Sequence, residues 1–457
     1  MERICSMNNL SKRKTLKVFE AFAGYGSQRM ALRNLAKIGG NLNYESVGIL
    51  EIDPHAILSY ANIHDNLNSV EIEYPTKEEM FSFLENKNIG CDFKSGKVKL
   101  PKQEKKLKDL YRATILSKNF GDVCLINPKD LPDMDLFTYS FPCTDISVAG
   151  KQEGIVKGQT RSGLLYECEK IIETKRPKYL LLENVKNLVG KQFKSEFDEW
   201  LKYLETLGYS NYWQVLNAKH YGIPQNRERV FVVSILNDGN EDYTFPQGKE
   251  LDSRLKSVLE TQVEDKYYLS EEIQKRFKPN CNFGQGNIVG TTAPEFRTIG
   301  QRDLRYQENS VMGALEATDY KQPKQIVEKI SNDLKEEKHI IGIPQATKEG
   351  YIEMELPGIC DLTYPNSKTR RGRVQDRGAC CPTLTTGKKD VCYIDVHGDE
   401  YRVRRLTPLE CWRLMGCSDE DFYKAQEYNS DTQLYKQAGN SIVVPVLEGI
   451  FKQLFMK

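Results

Sequence analysis

Cys143 follows an apolar, aromatic-rich run, Leu136, Phe137, Tyr139 and Phe141, that breaks off at Pro142. A strand ending there puts a thiol on the first turn beyond a strand end, which is where open α/β sheets carry ligands and chemistry. Deprotonated, such a thiol is a nucleophile; unaccompanied, it reads first as a small buried hydrophobe, as most cysteines are. Glu183 comes directly after Leu180, Leu181 and Leu182, again at the close of an apolar run. Apolar surroundings disfavour its charged form and suit it to proton donation near neutral pH, the plain alternative being an exposed Glu that opens a loop. Gln225, Arg227 and Arg229 alternate ahead of the apolar stretch Val230 to Val233, and a period of two puts all three on one face of a strand. Arginines so placed can grip a phosphate, a carboxylate or a base edge, or form a strand-end salt-bridge cluster.

A second group of residues suits a nucleotide-like cofactor. From Leu16 an apolar strand turns through Gly24 and Gly26 into an amphipathic helix carrying Met30, Leu32 and Leu35, stopped by Gly39 and Gly40. Glycines there permit a tight turn and let a ligand approach backbone N–H groups at a helix N-terminus. The third glycine of GxGxxG is missing, so an ordinary turn fits as well. The strand from Ser46 to Ile52 ends in Glu51, placed to accept hydrogen bonds from a ribose diol, and Asp53 reads as the cap of a helix with Pro54 at its first position. Asp122, in Gly121-Asp122-Val123, opens a strand-like segment and is a candidate for the cofactor's base or ribose, or a turn residue.

The elements that must position these residues alternate strand and helix as far as about Asp238, which predicts a doubly wound α/β sheet. Beyond it the chain is rich in Gly, Pro, Asn, Gln and Thr with short strands, a second domain of loops and small sheets carrying the basic cluster Lys368, Arg370, Arg371, Arg373 and Arg377. Thr407-Pro408-Leu409-Glu410 is a capping box, and Gln437 to Ser441 reads as a polar turn before the apolar helix Ile442 to Phe455. At 457 residues, 39% hydrophobic and 28% charged, the chain has room for two or three domains. No apolar run nears the ~18 residues of a membrane span, and no leader-like segment opens the chain, so a cytoplasmic location is expected. Twelve cysteines without a CxxC pair and five scattered histidines suggest reduced thiols and no metal site. Lys+Arg 65 against Asp+Glu 64 argues against nonspecific polyanion binding, and the lysine-rich stretch Lys94 to Lys118 reads as a solvated surface.

In this order the blocks FEAFAGYGS (19 to 27), GILEIDPHA (48 to 56), FPCTDISVAGK (141 to 151), TRSGLL (160 to 165), LLENV (181 to 185), QNRER (225 to 229), RRLTPLECWRLMG (404 to 416) and GNSIVVPVLEGI (439 to 450) resemble the cytosine-C5 DNA methyltransferases. The resemblance implies a Rossmann-like class I methyltransferase sheet with helices on both faces, in a catalytic domain over residues 1–240. It also implies a smaller, irregular, β-rich target-recognition domain over 241–415 and a C-terminal segment, 416–457, that returns to the first domain. It makes Cys143 the nucleophile, Glu183 the group that handles the proton at cytosine N3, and Arg227 and Arg229 the pair that helps hold the base and the active-site groups. Phe22, Gly24, Gly26, Glu51, Asp122, Pro142, Asn440 and Ser441 become contacts of S-adenosylmethionine, and Gln225, Arg227, Arg371 and Arg373 contacts of DNA. Thr144 stands where the family often has Gln, and about 55 residues separate the second and third cofactor blocks.

Cytosine C5 is a weak nucleophile; a thiolate adding at C6 makes an enamine whose C5 is reactive, and loss of the C5 proton then expels the thiolate. Neither ring atom is reachable in a duplex, so the base must be flipped out, with Lys151 to Gly163 the candidate loop that closes over it. The expected activity is methylation of cytosine C5 within a specific duplex DNA sequence, by a monomer with a companion restriction endonuclease as a candidate partner. An RNA (tRNA) cytosine methyltransferase and a catalytically silent DNA-binding homologue are the alternatives.

Overall fold

Strand β1, Leu16–Ala21, runs inside a six-stranded sheet, flanked on both sides, and its two faces are both covered. Phe19 and Ala21 pair in register with Phe137 and Tyr139 of β5 (Leu136–Tyr139; β3 and β4 form a short hairpin, Cys91–Asp92 with Lys97–Val98). These side chains join Leu180 and Leu182 of β6 (Tyr179–Val185) in one apolar core against α5 (Leu165–Lys175) and α6 (Lys194–Thr206). The alternate residue, Glu20, points to the opposite face, where it meets α1 (Ser27–Lys37) and α2 (Pro54–His64). Helices therefore cover both faces, as the alternation of a strand requires. With β2 (Tyr44–Leu50), β7 (Tyr209–Asn217) and β9 (Glu228–Leu236), the order is β2-β1-β5-β6-β9-β7, a Rossmann-like sheet; β1 pairs β2 and β5, and β5 pairs β6, all in parallel.

The computed structural model describes residues 15–39, 42–92, 95–142, 146, 162–237, 242–253, 255–268, 312–313, 325–328, 339–347, 351–356, 358–361, 373–374, 391–394 and 402–456. They fall into two compact units: one holds residues 1–215, 230–246 and 446–457, the other 216–229 and 247–445. The first contains the sheet together with α3 (Lys77–Asn86) and α4 (Glu104–Leu116). The second holds short strands: β8 (Gln225–Asn226) with β10 (Met312–Gly313), a hairpin of β12 (His339–Pro344) and β13 (Tyr351–Leu356), and a sheet ordered β14-β15-β11-β16. Its four strands are Gly358–Asp361 (β14), Val391–Ile394 (β15), Gln325–Glu328 (β11) and Arg402–Arg405 (β16). Helices α7 (Pro408–Arg413), α8 (Asp419–Gln426) and α9 (Asp431–Asn440) follow, and α10 spans Val444–Phe455. Thr407 and Glu410 cap α7 reciprocally, as their spacing predicts, and Glu410 also takes a bidentate pair from Arg404 at 2.8 and 2.9 Å with both side chains fully buried.

Three local expectations change. Gly121 to Val123 opens no strand: Gly121 turns at φ +89°, and the Asp122 carboxylate accepts the Cys124 N–H at 3.0 Å, capping a 3-10 turn over Val123–Leu125. Gln225 to Val233 is not one strand, because the Arg227 N–H bonds back to the Gln225 carbonyl at 3.1 Å and β9 starts only at Glu228, which cancels the shared face. Gln437 to Asn440 is the last turn of α9, not a polar turn opening the next helix; the buried Leu434, Tyr435 and Ala438 carry the helical pattern on to that point. Asp53, by contrast, caps α2 as expected, accepting the His55 N–H at 2.9 Å.

Candidate active site

The cofactor corner of the first unit is built from backbone turns and carboxylates. After β1 the chain folds over the end of β2, with the Phe22 and Ala23 N–H groups both on the Leu50 carbonyl at 2.8 and 3.3 Å. This puts Phe22 in the left-handed region at φ +56°, a strained state for a residue with a side chain, of the kind that collects at functional sites. Gly24 shares that conformation, and a Cβ placed on it would meet nothing within 4 Å, so its backbone faces open space. At Gly26 the reverse holds: a Cβ would lie 2.5 Å from His64 Nε2 and 2.7 Å from the Tyr60 ring.

Glu51 is the hub of this corner. Its Oε2 accepts the Gly24 N–H at 2.9 Å, and its Oε1 accepts those of Ile52 and Asp53, each at 2.8 Å. Burial, and then the neighbouring Asp53 carboxylate, push its carboxyl above the usual range, against the pull of these N–H donors. Of the roughly four acceptor positions of a carboxylate, about one stays open, on Oε2. Asn119, buried and not foreseen from the sequence, locks the corner together: its Oδ1 accepts the Glu51 and Gly121 N–H groups at 3.2 and 2.9 Å, and its Nδ2 donates to the Glu51 carbonyl at 2.9 Å. Asp122 lies next along the chain, its Oδ2 accepting from Asn88 Nδ2 at 2.6 Å. An exposed glycine backbone, an acceptor carboxylate and a second oriented carboxylate fit a nucleoside with a ribose diol and an amine-bearing base.

Beneath this corner Glu20 is fully buried and accepts from the Tyr60 hydroxyl and the Arg29 N–H at 2.5 and 3.2 Å. Burial raises its carboxyl to about 7, against the lowering by those two neighbours.

The flanks of Cys143 are built differently. Cys143 and Thr144 lie outside the described residues, as does Lys151 to Gly163 apart from Ser162 and Gly163. On either side of Cys143 the chain is held by side chains from elsewhere: Asn184 Nδ2 donates to the Phe141 carbonyl at 3.1 Å, Ser162 Oγ to that of Pro142 at 2.9 Å, and Asn187 Nδ2 to that of Ile146 at 2.6 Å. Glu183 is 8% exposed and lies within β6, two residues before its end at Val185 and not opening a loop; the expected proton handler directly precedes the Asn184 anchor. Asn184 sits inside the ENV block and Ser162 inside TRSGLL; Asn187 carried no signal beyond being a polar residue past a strand end.

In the second unit Arg227 is 4% exposed, and its Nη2 donates to the Gly439 and Ser441 carbonyls at 3.1 and 2.8 Å, a cation on the C-terminal carbonyls of α9. Gln225 Nε2 donates to the Leu414 carbonyl at 2.5 Å, just past α7. Arg229 is partly buried and bonds the Glu228 carbonyl at 2.8 Å. Asn440 is exposed as the last residue of α9, and Ser441 Oγ donates to the Ala438 carbonyl at 3.0 Å. Arg373 is 1% exposed with its N–H on Gln345 Oε1 at 2.8 Å, while Arg371 lies outside the described residues. Among the described residues no helix is long and apolar enough to cross a membrane.

A buried glutamate near the end of β6 and a glycine turn beside the acidic end of β2 stand on a Rossmann-like sheet with helices on both faces. The model of the C-5 cytosine-specific DNA methylase family matches residues 76–456, and the chain belongs to that family. It is 43% identical over 446 residues to the Type II methyltransferase M2.ScrFI of Lactococcus lactis subsp. cremoris, covering 96% of this chain and 99% of that one. The orphan methyltransferase M.SssI of Spiroplasma monobiae is 38% identical over 61% of this chain and 75% of its own. M.SPRI, an orphan methyltransferase of Bacillus phage SPR, is 28% identical over 96% of this chain and 97% of its own. The protein is a DNA (cytosine-5-)-methyltransferase.

Proposed function

We propose that the enzyme transfers a methyl group from S-adenosylmethionine to C5 of one cytosine in a specific duplex DNA sequence, through a covalent bond between Cys143 and C6 of a flipped-out base. S-adenosylmethionine, when bound, supplies the electrophilic methyl group, and Phe22, Gly24, Gly26, Glu51, Asp122, Pro142, Asn440 and Ser441 are the residues that would hold it. The Cys143 thiolate adds to C6 as Glu183 gives a proton or a hydrogen bond to N3, so the charge developing on the ring is taken up at that nitrogen. The resulting enamine makes C5 nucleophilic. Once C5 is methylated, loss of its proton and breakage of the C6–S bond return the thiolate. Arg227 acts as a positioning residue that fixes the carbonyls of Gly439 and Ser441; Arg229 and Gln225 serve the base and its neighbours. We assign residues 1–240 and 416–457 to catalysis and 241–415 to reading the DNA, with Arg371 and Arg373 in the reader. The enzyme works as a monomer alongside a companion restriction endonuclease.

The observation that carries this reading is the pair Glu183-Asn184: a buried carboxyl whose neighbouring amide is hydrogen-bonded to Phe141, just ahead of Pro142 and Cys143. Duplex DNA incubated with labelled S-adenosylmethionine tests it. Label is expected on cytosine, Cys143→Ala is expected to cut transfer by at least roughly 10³-fold, and 5-fluorocytosine in the site is expected to trap wild-type protein covalently. Transfer that survives the substitution would sink the mechanism.

A further inference from the structure

Helix α3 belongs to the segment between the second and third cofactor blocks, and its end is shaped for a purpose beyond stopping a helix. The Ile89 N–H bonds the Leu84 carbonyl at 3.1 Å and the Asn88 N–H that of Glu85 at 2.8 Å, a Schellman turn with Asn88 at φ +57° and both Leu84 and Ile89 fully buried. Glycine is the residue this position prefers on conformational grounds. The asparagine is explained by what its side chain reaches. From the same turn the Gly90 N–H donates to the Ile52 carbonyl at 2.8 Å, beside Glu51, and the Lys87 carbonyl accepts the Asp122 N–H at 3.0 Å. The approach is close enough that a Cβ on Gly121 would lie 2.3 Å from that carbonyl. Asn88 Nδ2 then grips Asp122 Oδ2 at 2.6 Å while the Cys124 N–H holds Oδ1 at 3.0 Å. Both oxygens are anchored, the carboxylate plane is set, and each oxygen keeps acceptor capacity.

We infer that Asn88 is a positioning residue for the cofactor's base: it aims the Asp122 carboxylate to accept the exocyclic amine of adenine, and so makes the corner discriminate against a base with a carbonyl at that position. This rests on the assignment of Asp122 to an S-adenosylmethionine site. A carbonyl oxygen turned toward a fixed carboxylate is repelled, whereas an amine is bound; a carboxylate free to rotate away loses that contrast.

Calorimetric titration with S-adenosylhomocysteine and with S-inosylhomocysteine, which carries a 6-oxo group in place of the 6-amino group, tests the inference without requiring turnover. Asn88→Gly suits the test because glycine keeps the left-handed cap, so the fold is expected to be retained and any fall in Tm to be limited to the lost Asn88–Asp122 bond. The variant is expected to bind S-adenosylhomocysteine about tenfold more weakly, the common cost of a lost hydrogen bond to a charged group, with S-inosylhomocysteine little changed and the preference between them reduced. Asp122→Asn is expected to reduce the same preference, and the double variant to add little further. An unchanged preference in Asn88→Gly, or equal losses for both nucleosides, overturns the inference. Wild-type protein that binds neither nucleoside overturns the cofactor reading along with it, whereas wild-type binding with an unaltered variant overturns this inference alone.

Discussion

The cofactor corner and the nucleophile flanks solve one problem, holding a strand-end turn still, with different chemistry. At the corner the backbone bonds to itself and to carboxylates: Phe22 and Ala23 on Leu50, then Gly24, Ile52 and Asp53 on Glu51, with Glu20 underneath. Beside Cys143 the anchors are neutral amides and a hydroxyl, each meeting one carbonyl. The corner is therefore redundant and built on carboxyl groups, and the flanks are divisible and built on neutral amides and a hydroxyl. A binding pocket for a nucleoside gains from rigidity. On the proposed mechanism, in which Cys143 attacks a flipped-out base, its loop gains from anchors that hold its ends.

Four substitutions can break or sharpen this contrast. Asn119→Ala should have the largest effect, because it strips partners from two N–H groups and a carbonyl in the buried corner; a loss on the order of 3 to 5 kcal/mol of stability is expected in urea denaturation, with weaker S-adenosylhomocysteine binding by titration. Next comes Glu20→Gln. The folded Glu20 carboxyl keeps its proton up to about 7, against an ordinary value of 4.5. Folding thus binds a proton between those limits, and wild-type stability drains as pH rises through them. The glutamine is spared that loss, so its stability relative to wild type should improve by up to about 3 kcal/mol between acidic and mildly alkaline pH; a pH-independent difference would remove Glu20 as a pH-sensitive floor.

Asn184→Ala should act on turnover rather than binding. Releasing Phe141 is expected to lower kcat by about 10²-fold, typical of a small misplacement of a reacting group, with S-adenosylhomocysteine affinity retained; single-turnover assays separate the two, and a loss confined to cofactor affinity would contradict the division. Ser162→Ala, which removes one hydroxyl from the Pro142 carbonyl, should cost least, about 1 kcal/mol, and lower kcat only slightly in the same assay.

Local chemistry made much of this molecule readable in advance. The continuous apolar runs of β1, β5 and β6, the helix start after Gly26, the Asp53 cap and the Thr407–Glu410 capping box all depend on residues close in sequence, and all are present. The expectations that changed were those in which a neighbour overruled a pattern. Gly121 and Asp122 formed a capped turn, Arg227 interrupted a period of two, and α9 ran through Asn440 because its buried face did. Arg227 and Arg373, both among the DNA contacts that the resemblance implies, are buried, with Arg227 bonded to helix-end carbonyls.

The sequence by itself determined the apolar run of β5, the buried glutamate that follows three leucines, the glycine turn and the block order that carries the family, since residue type and spacing express those directly. Only the tertiary structure decided that Asn119 welds Glu51 to Gly121, that Asn184 pins Phe141 and that Asn88 grips Asp122. The physical reason is that an asparagine amide bonds whatever donor or acceptor the fold brings to it. Its partners here, in the Asn119–Glu51, Asn184–Phe141 and Asn88–Asp122 pairs, stand 68, 43 and 34 residues away along the chain, where no local pattern records them.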